Sequence, residues 1–438
     1  MNWAAYYEKE RQAFYKTMEK ARLADVRFSR EDDEQLSEDE RAAIDAYWSK
    51  YRFAYPNIDY KFFQSFKNRS GHFDVRFIPG VVRVAHLNRY FLKQEYQTSF
   101  QNKALTPLLF RDMKQPKPVV FRMRQTYYDG DYRKISFDEA VDRVLAFIAE
   151  QPGRRVIVKP NGSSGGHNIT TYGSHSTRAE LAAWFKKPNM GAFVAQEMIG
   201  QSALTAQFNP SSVNTIRMTT LLFQGRFYPL ATLLRVGVSG SEVDNFCSGG
   251  ALLGIDVETG VCNDWALTND LRHVDSVNGV ELKAQRLTVP SFEAIKRSVE
   301  KMHCKCPYIQ MISWDIALDE NDEPVLIECN FGGMIQMHEA TTGPLFGKLT
   351  DEVLDEYLLK KFCLKAADEN FIYEEYSDYV VVCRYIGKAA DVTVPLEFHG
   401  KPVRSLKPGT FKDRTMGNVI ASLDQLDSSP EAFAHIGL

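Results

Sequence analysis

The sequence predicts a mixed fold of the α+β class built from several units, on three observations. Residues 1 to about 52 carry apolar side chains at spacings near three and four, the pattern of amphipathic helices. The middle of the chain alternates strand-like, glycine-rich and helical stretches. From about residue 378 the character changes to short β segments punctuated by Pro and Gly. At 438 residues, 44% hydrophobic and 25% charged, the chain is long enough for about three domains and too apolar to be disordered as a whole. Its 53 basic and 56 acidic side chains leave a net charge of −3, which excludes a global attraction to nucleic acid or to an anionic membrane. Small molecules are the expected partners, and a local basic cleft for phosphates remains compatible with that balance.

Each element has a local reason. Tyr6, Phe14 and Met18, then Ile44, Tyr47 and Trp48, give two helical stripes. Ser37-Glu38-Asp39-Glu40 marks the start of the second, since a Ser hydroxyl and a Glu carboxylate three residues on satisfy free amides at a helix end. Residues 53 to 118 read as aromatic-rich and irregular, with Pro116 and Pro118 as a boundary. Val119 to Tyr127, Asp129-Gly130 and Tyr132 to Ile135 read as a hairpin with Asp-Gly supplying positive φ. Ser136-Phe137-Asp138-Glu139 then caps a helix with the apolar stripe Ala140, Val144, Phe147 and Ile148. Strands follow at Arg155 to Lys159 and Phe193 to Glu197, around a helix from about Thr177 to Lys186. Between 213 and 266 strands dominate, with turns at Gln224-Gly225 and Glu258-Thr259-Gly260 and a longer loop from Gly237 to Gly250. A helix near Ser291 to His303, strands Ile312 to Leu318 and Pro324 to Cys329, and a helix from about Asp351 to Lys365 complete the central unit. The expected division is a helical and aromatic-rich region 1–100, a central unit 101–370 and a β tail 378–438. In that tail Pro430 to Phe433 echoes Pro408 to Phe411, resembling a leucine-rich repeat of the BspA type, with the second copy degenerate at Gln425 and Ser428.

The N-terminus lacks the basic and apolar regions of a secretory signal, and no apolar run approaches the roughly 20 residues of a membrane span. A cytoplasmic protein without membrane insertion is expected. Seven cysteines, an odd number in a long chain, fit reduced thiols. His303-Cys304-Lys305-Cys306 has half the spacing of a zinc site, but no second pair follows it, so zinc is not expected.

Two segments carry chemistry. In Val156-Ile157-Val158-Lys159-Pro160-Asn161-Gly162-Ser163-Ser164-Gly165-Gly166-His167 an apolar strand delivers a lysine to a glycine-rich turn. Glycines let consecutive N–H groups face an anion, and the lysine adds a point charge. The pattern is neither a Walker A loop nor a dinucleotide fingerprint, and it suits an ordinary flexible turn as well as a phosphate cradle. The second segment pairs Trp314 to Leu318 with Val325 to Asn330. If Asp319 and Pro324 flank a turn of Glu320, Asn321, Asp322 and Glu323, Asp315 faces Glu328 with Cβ atoms about 5 Å apart. Like charges so placed are destabilising without a cation, and Asn330 shares their face because side chains alternate. Asp315, Glu328 and Asn330 offer oxygens suited to Mg²⁺ or Mn²⁺; a solvated hairpin is the plainer alternative.

In this order these residues resemble the ATP-grasp superfamily. Asn102-Lys103, Ile135 to Ala140, Val158-Lys159-Pro160, Asn214-Thr215-Ile216-Arg217, Asp244-Asn245-Phe246 and Gly249-Gly250 are similar to the sugar-transfer-associated ATP-grasp family. The resemblance covers roughly residues 40 to 350. It implies a fold of two α+β lobes gripping ATP, with lobes near 119–200 and 201–370. It implies phosphate contacts from Lys103 and Lys159, although Asn102 replaces the family's Asp, and from the loop Gly162, Ser163, Ser164, Gly165 and Gly166, with His167 in the same loop. Gln196, Glu197, Met198 and Ile199 match the hinge that reads adenine, Arg217 and Arg235 the cleft arginines, and Asn245 a donor to an acyl-phosphate oxygen. Surface strands carry arginines too, and a hinge strand is otherwise a core strand ending in a polar turn.

The implied cofactors are ATP and Mg²⁺ or Mn²⁺, and the implied activity is carboxylate–amine ligation through an acyl phosphate. The family name, which records neighbourhood with sugar-transfer genes, suggests a sugar acid or amino acid in cell-surface polysaccharide or related metabolism. Phosphoryl transfer to a small molecule at the same site is an alternative, as is a nucleotide-binding scaffold. Met334 to Glu339 and region 55 to 100 line the expected acceptor pocket, residues that ordinary packing would use as well. A homodimer is expected.

Overall fold

The structure is a computed structural model that describes residues 2–161, 168–187, 191–240, 246, 249–332, 335–412 and 417–421. The N-terminal layer is helical: α1 (Trp3–Val26), α2 (Glu38–Ser49) and α3 (Tyr60–Ser70). As expected, Ser37 accepts from the Glu40 N–H while the Glu40 carboxylate accepts from the Ser37 N–H, a cap of about 1 kcal/mol. Region 53–118 is not irregular. After α3 come α4 (Gly80–Val82), a π-helical turn Arg83–Leu87, α5 (Asn88–Phe91), α6 (Gln94–Phe100) and α7 (Thr106–Leu109). Its aromatics define the helices by burial rather than propensity: Phe62, Phe63 and Phe66 pack on one side of α3, with Phe28 and Phe77 against Phe66 at 5.1 and 5.6 Å between ring centres.

The next lobe is an antiparallel six-stranded sheet in the order β3-β2-β1-β6-β4-β5. Its strands are β1 (Pro118–Met123), β2 (Thr126–Asp129), β3 (Lys134–Ile135), β4 (Val156–Pro160), β5 (Thr170–Tyr172) and β6 (Phe193–Glu197). Helices α8 (Phe137–Ala149) and α9 (Arg178–Phe185) bury their apolar stripes against it. In α8 the side chains of Val141, Val144, Phe147 and Ile148 are buried, each favoured by roughly 1.5–3 kcal/mol over exposure. The expected single hairpin is two. The chain already turns at Arg124 (φ 56°), and in the second turn Tyr132 rather than Gly130 has positive φ. Gly130 is required for another reason: a Cβ there would lie 2.5 Å from the Pro118 carbonyl oxygen.

After α10 (Ala203–Ala206) the large sheet runs β11-β10-β9-β8-β7-β14-β15, again antiparallel. It comprises β7 (Thr215–Phe223), β8 (Arg226–Val236), β9 (Ala251–Ile255), β10 (Ala266–Thr268) and β11 (His273–Val274). A small ladder of β12 (Ser276–Val277) and β13 (Val280–Glu281) stands apart, followed by α11 (Leu282–Gln285) and α12 (Phe292–His303). The long strands β14 (Met311–Leu318) and β15 (Pro324–Asn330) then complete the sheet, and α13 (Ile335–Thr342) and α14 (Thr350–Leu354) follow. The predicted Gln224-Gly225 turn joins β7 to β8 with both residues at positive φ, 51° and 75°.

The last expected helix, Asp351 to Lys365, is shorter: α14 continues as a π-helical turn Asp355–Lys360, and the chain is extended from Leu364. There β16 (Leu364–Ala367) finds an antiparallel partner in β17 (Phe371–Glu375), and this tertiary pairing overrides a helix-compatible sequence. With β18 (Val380–Tyr385), β19 (Val392–Thr393), β20 (Glu397–Phe398), β21 (Lys401–Leu406) and β22 (Val419–Ile420), the C-terminal β structure therefore starts at Leu364 rather than near 378. Its main sheet runs β16-β17-β18-β21-β20, and Phe14 of α1 stacks on Phe362 at its entrance. The echo at Pro430 to Phe433 lies outside the described residues. Among the described residues no helix is long and apolar enough to cross a membrane.

Candidate functional site

The site stands where β14 meets its two neighbours. Asp315 on β14 is paired with Arg217 of β7 on one side and Glu328 of β15 on the other, so all three side chains share one face. The predicted pairing of Asp315 with Glu328 is present, but by a different route. The ladder runs Leu318↔Pro324 and Ile316↔Leu326, and a β-bulge then shifts the register so that Asp315 meets Glu328. The bulge inserts Ile327 and turns it into the adjoining cleft.

Asp315 is 1% exposed. Arg217 holds it through two bonds of 2.6 Å, from Nε to Oδ1 and from Nη2 to Oδ2, and Arg235 adds Nη1 to Oδ2 at 3.1 Å. Burial pushes the carboxyl up, but the two guanidinium groups outweigh it and hold it down to about 2. The positive charge that facing carboxylates demand is thus supplied at Asp315 by Arg217 and Arg235, the arginines that the resemblance places in the cleft. Asn330 closes the group, its Nδ2 lying 3.2 Å from both Asp315 Oδ2 and Glu328 Oε1. Beneath it Thr219 joins Ser313 at 2.8 Å and His338 at 3.4 Å, and burial lowers the His338 ring to about 3.

Glu328 faces outward, with Lys103 Nζ 3.6 Å from its Oε2. It opens on a cleft between the lobes, which Lys103, Lys159 and Gln196 also line. Three of the sequence-predicted ligands from separate segments are therefore brought to one cavity with Glu328. Its apolar walls, Pro107, Pro116, Leu326 and Ile327, were missed. The Pro116 punctuation was the one signal for them; the Ile327 position depends on a bulge that no local pattern shows. Lys103 is set by its own N–H, which donates to Asn161 Oδ1 at 3.0 Å, so the strand-end loop and the lysine turn are fixed to each other. Of the residues expected to form the hinge, Glu197 donates its N–H to the Lys117 carbonyl and Met198 its N–H to the Arg155 carbonyl. Ile199 follows them beyond the end of β6. Gly162 to His167 and Asn245 lie outside the described residues.

His303, the candidate half of a zinc site, has both ring nitrogens engaged, with Thr220 Oγ1 at 2.7 Å and the Ile309 carbonyl at 2.9 Å. Cys262, Cys304, Cys306, Cys329, Cys363 and Cys383 are free thiols.

The donor chemistry of the Asp315, Glu328 and Asn330 group fits a hard divalent cation. An amide and two carboxylates converge on one point, and rotating the Asn330 amide exchanges its NH₂ for an oxygen there. The oxygens of Asp315 are already engaged by arginine, so Glu328 is the carboxylate turned to the cleft.

Two lysines, a carboxylate and an antiparallel two-lobed architecture around one cleft define the ATP-grasp class of fold. The chain belongs to the sugar-transfer-associated ATP-grasp family, which it matches over residues 86–349. No curated protein matches it. Among solved structures it is similar to D-alanyl-alanine synthetase A from Vibrio cholerae O1 biovar eltor, at 13% identity and a TM-score of 0.37, over 59% of this chain and 65% of that one. It is also similar to an L-amino acid ligase from Bacillus licheniformis, at 14% identity and a TM-score of 0.33, over 72% and 61%. A third similar structure is the VanG D-Ala:D-Ser ligase from Enterococcus faecalis, at 10% identity and a TM-score of 0.35, over 59% and 62%. The chain thus spans less than two thirds of the length of each.

Proposed function

We propose that this protein is an ATP- and Mg²⁺-dependent carboxylate–amine ligase. A substrate carboxylate oxygen attacks the γ-phosphorus of ATP, the bond to the ADP oxygen breaks, and an acyl phosphate forms. An amine then attacks the acyl carbon, phosphate leaves, and the amine proton passes to solvent or base. The observation that carries this reading is the convergence of Lys103, Lys159 and Glu328 on one cleft beside the Arg217–Asp315–Arg235 cluster, in a chain of this family. No protein nucleophile is needed, because catalysis of this kind is positioning and charge neutralisation. Lys103 and Lys159 balance the phosphates; Glu328 and Asn330 with Asp315 would hold Mg²⁺ or Mn²⁺, which when bound would supply further neutralisation of phosphate charge. Arg217 and Arg235 keep Asp315 ionised and fixed. Gln196 and Ile199 meet the adenine, Gly162 to Gly166 cover the phosphates and exclude water, and Asn245 donates to the acyl phosphate.

A sugar acid or amino acid of cell-surface polysaccharide or related metabolism is the substrate class that the family's name supports. Free thiols at the six described cysteines support a cytoplasmic setting. A homodimer is the proposed assembly, and a monomer by light scattering at micromolar concentration would overturn it. The test of the activity is ATP turnover with Mg²⁺ against pools of amino acids and sugar acids, with products identified by mass. An adduct equal to acid plus amine minus water, with matching ADP and free phosphate, is expected. A product heavier by one phosphoryl group, without free phosphate, would make the protein a kinase instead. Nucleotide binding without turnover on any pool would leave only a scaffold.

A further inference from the structure

A second set of charged side chains is buried where the helical layer meets α13. Arg83, the first residue of the π-helical turn, is 7% exposed, Asp25 at the end of α1 is 3% exposed and Glu339 of α13 is 0% exposed. π-helical turns of this kind gather at functional sites. Both acids are pinned. Asp25 accepts from the Gly80 N–H and from Gln336 Nε2, each at 2.7 Å, and a Cβ at residue 80 would lie 2.5 Å from its Oδ1. Glu339 Oε1 accepts from the Ile78 and Leu345 N–H groups at 3.0 and 3.3 Å.

The guanidinium is not pinned. Among the described residues no ion pair or hydrogen bond reaches the Arg83 side chain, and both its Nε and the Glu339 Oε2 are buried without a partner. The same helical layer shows what a closed ionic joint looks like, with Arg69 directly on Asp33 and Arg76 on Asp74 at 2.6 Å. Leaving a buried guanidinium unmatched is far costlier than such a pair. Both acids register the gap: burial raises the Glu339 carboxyl to about 8 and the Asp25 carboxyl to about 6, with Arg83 pulling only partly the other way.

We propose that Arg83, Asp25 and Glu339 form the binding site of a free amino acid, whose carboxylate meets Arg83 and whose ammonium meets the two acids. The charges select this class. A simple anion would satisfy Arg83 but face the Asp25 carboxylate, and a simple amine would leave Arg83 unmatched and set a second cation beside it. A small zwitterion serves both ends without a net change of buried charge. The site belongs to the helix that leaves the end of β15, where Glu328 and Asn330 sit. On the neighbouring residue of that helix, His338 reaches Thr219 beneath Arg217 and Asp315. Resting on the ligase reading, the bound amino acid is the amine partner of the ligation; the binding itself does not depend on that reading.

The full chain, with and without ADP, is titrated calorimetrically with glycine, D-alanine and each L-amino acid. Binders are then titrated against Arg83→Gln, Arg83→Lys and Glu339→Gln, with ADP affinity measured on each variant. At least one amino acid is expected to bind, at least tenfold more weakly to Arg83→Gln and less so to Arg83→Lys, with ADP affinity unchanged. The N-acetyl and carboxamide forms of the same amino acid, each lacking one charge, are expected to lose binding to the unaltered protein. That series decides the question if Arg83→Gln does not fold. No binding by any amino acid, blocked forms that bind as well as the free one, or a folded Arg83→Gln that binds normally would each overturn the site. Arg83-dependent binding without a ligation product would remove the ligase reading and keep the site. Ligation by Arg83→Gln and Glu339→Gln with an unchanged KM for the amine would remove the site and keep the ligase.

Discussion

Replacing Arg217 by Met takes the bidentate partner from a carboxylate that has almost no contact with water. The magnitude follows from two directions. Asp315 is held at about 2 against an ordinary 3.8, and at about 1.36 kcal/mol per pKa unit its ionised form contributes roughly 2 kcal/mol to stability at neutral pH. Truncating one member of a buried pair costs more than the pair contributes, about 3–5 kcal/mol, because the other charge stays behind. Arg235 and Asn330 remain on Asp315, so the expected loss lies near the lower end, about 3 kcal/mol at pH 7. Urea denaturation of the two proteins at a series of pH values measures it. The sign of the pH dependence is fixed: the folded-state pKa is depressed, so the contribution is complete above about 4 and is lost as pH falls from there toward 2. The gap between wild type and variant should therefore be constant from pH 7 to 5 and visibly narrower by pH 3. A gap under about 1 kcal/mol at pH 7, or one that does not narrow in acid, would refute the view that Arg217 is the principal counter-charge of Asp315.

Other perturbations separate chemistry from architecture. Lys159→Ala should abolish nucleotide turnover with little change in melting temperature, since Lys159 lines the cleft; a large fall in melting temperature would mark it as structural. Glu328→Gln should shift the Mg²⁺ titration of activity to at least tenfold higher metal, and an unmoved titration would take this carboxylate out of the coordination shell. Gly130→Ala should lose about 1–3 kcal/mol, because its Cβ would press on the backbone oxygen of Pro118 and not on a side chain that can swing away; unchanged denaturation would show that β1 yields. Truncation after residue 377 removes β18 and β21 from the C-terminal sheet and bares Phe371 and Tyr373, so dye binding should rise and cooperative unfolding be lost; a soluble, cooperatively unfolding product would contradict the β16-β17-β18-β21-β20 sheet.

Local chemistry made much of this legible. The capping boxes at Ser37 and Ser136 are short-range signals, and each helix begins where its box places it. The Gln224-Gly225 turn is likewise decided by two residues. What escaped the sequence depends on distant partners. Leu364 to Ala367 continues a helical-looking segment until β17 is available to pair with it. The helices of region 53–118 are visible only once the aromatic stripe of α3 has a core to face. The φ preference of Gly130 points to a turn, while its actual requirement is the approach of β1, which no dipeptide reveals. The pairing of Asp315 with Glu328 was legible for a partly mistaken reason: the assumed turn gives the same sum of register positions as the actual shorter ladder plus one bulge residue.

That bulge bears on how the site divides its work. Without it, the register of Leu318↔Pro324 would set Ile327 opposite Asp315 and turn Glu328 to the other face of the sheet. With it, Glu328 shares the face of Asp315, Arg217 and Asn330, and Ile327 goes to the wall of the cleft. The two carboxylates then differ in environment although they are neighbours across one ladder. Asp315 is buried and matched by two arginines, whereas Glu328 has a partly exposed side chain, with Lys103 at 3.6 Å and the Asn330 amide at 3.2 Å. On the proposed reading, a cation entering with phosphates meets Glu328 and Asn330 without first displacing a bidentate arginine. Asp315→Asn should accordingly weaken the fold more than Glu328→Gln does, and Glu328→Gln should weaken metal dependence more than it weakens the fold. Measuring denaturation midpoint and Mg²⁺ titration on both variants tests that division, and equal effects of the two substitutions on both quantities would mean that the arginines and the metal compete for one carboxylate pair.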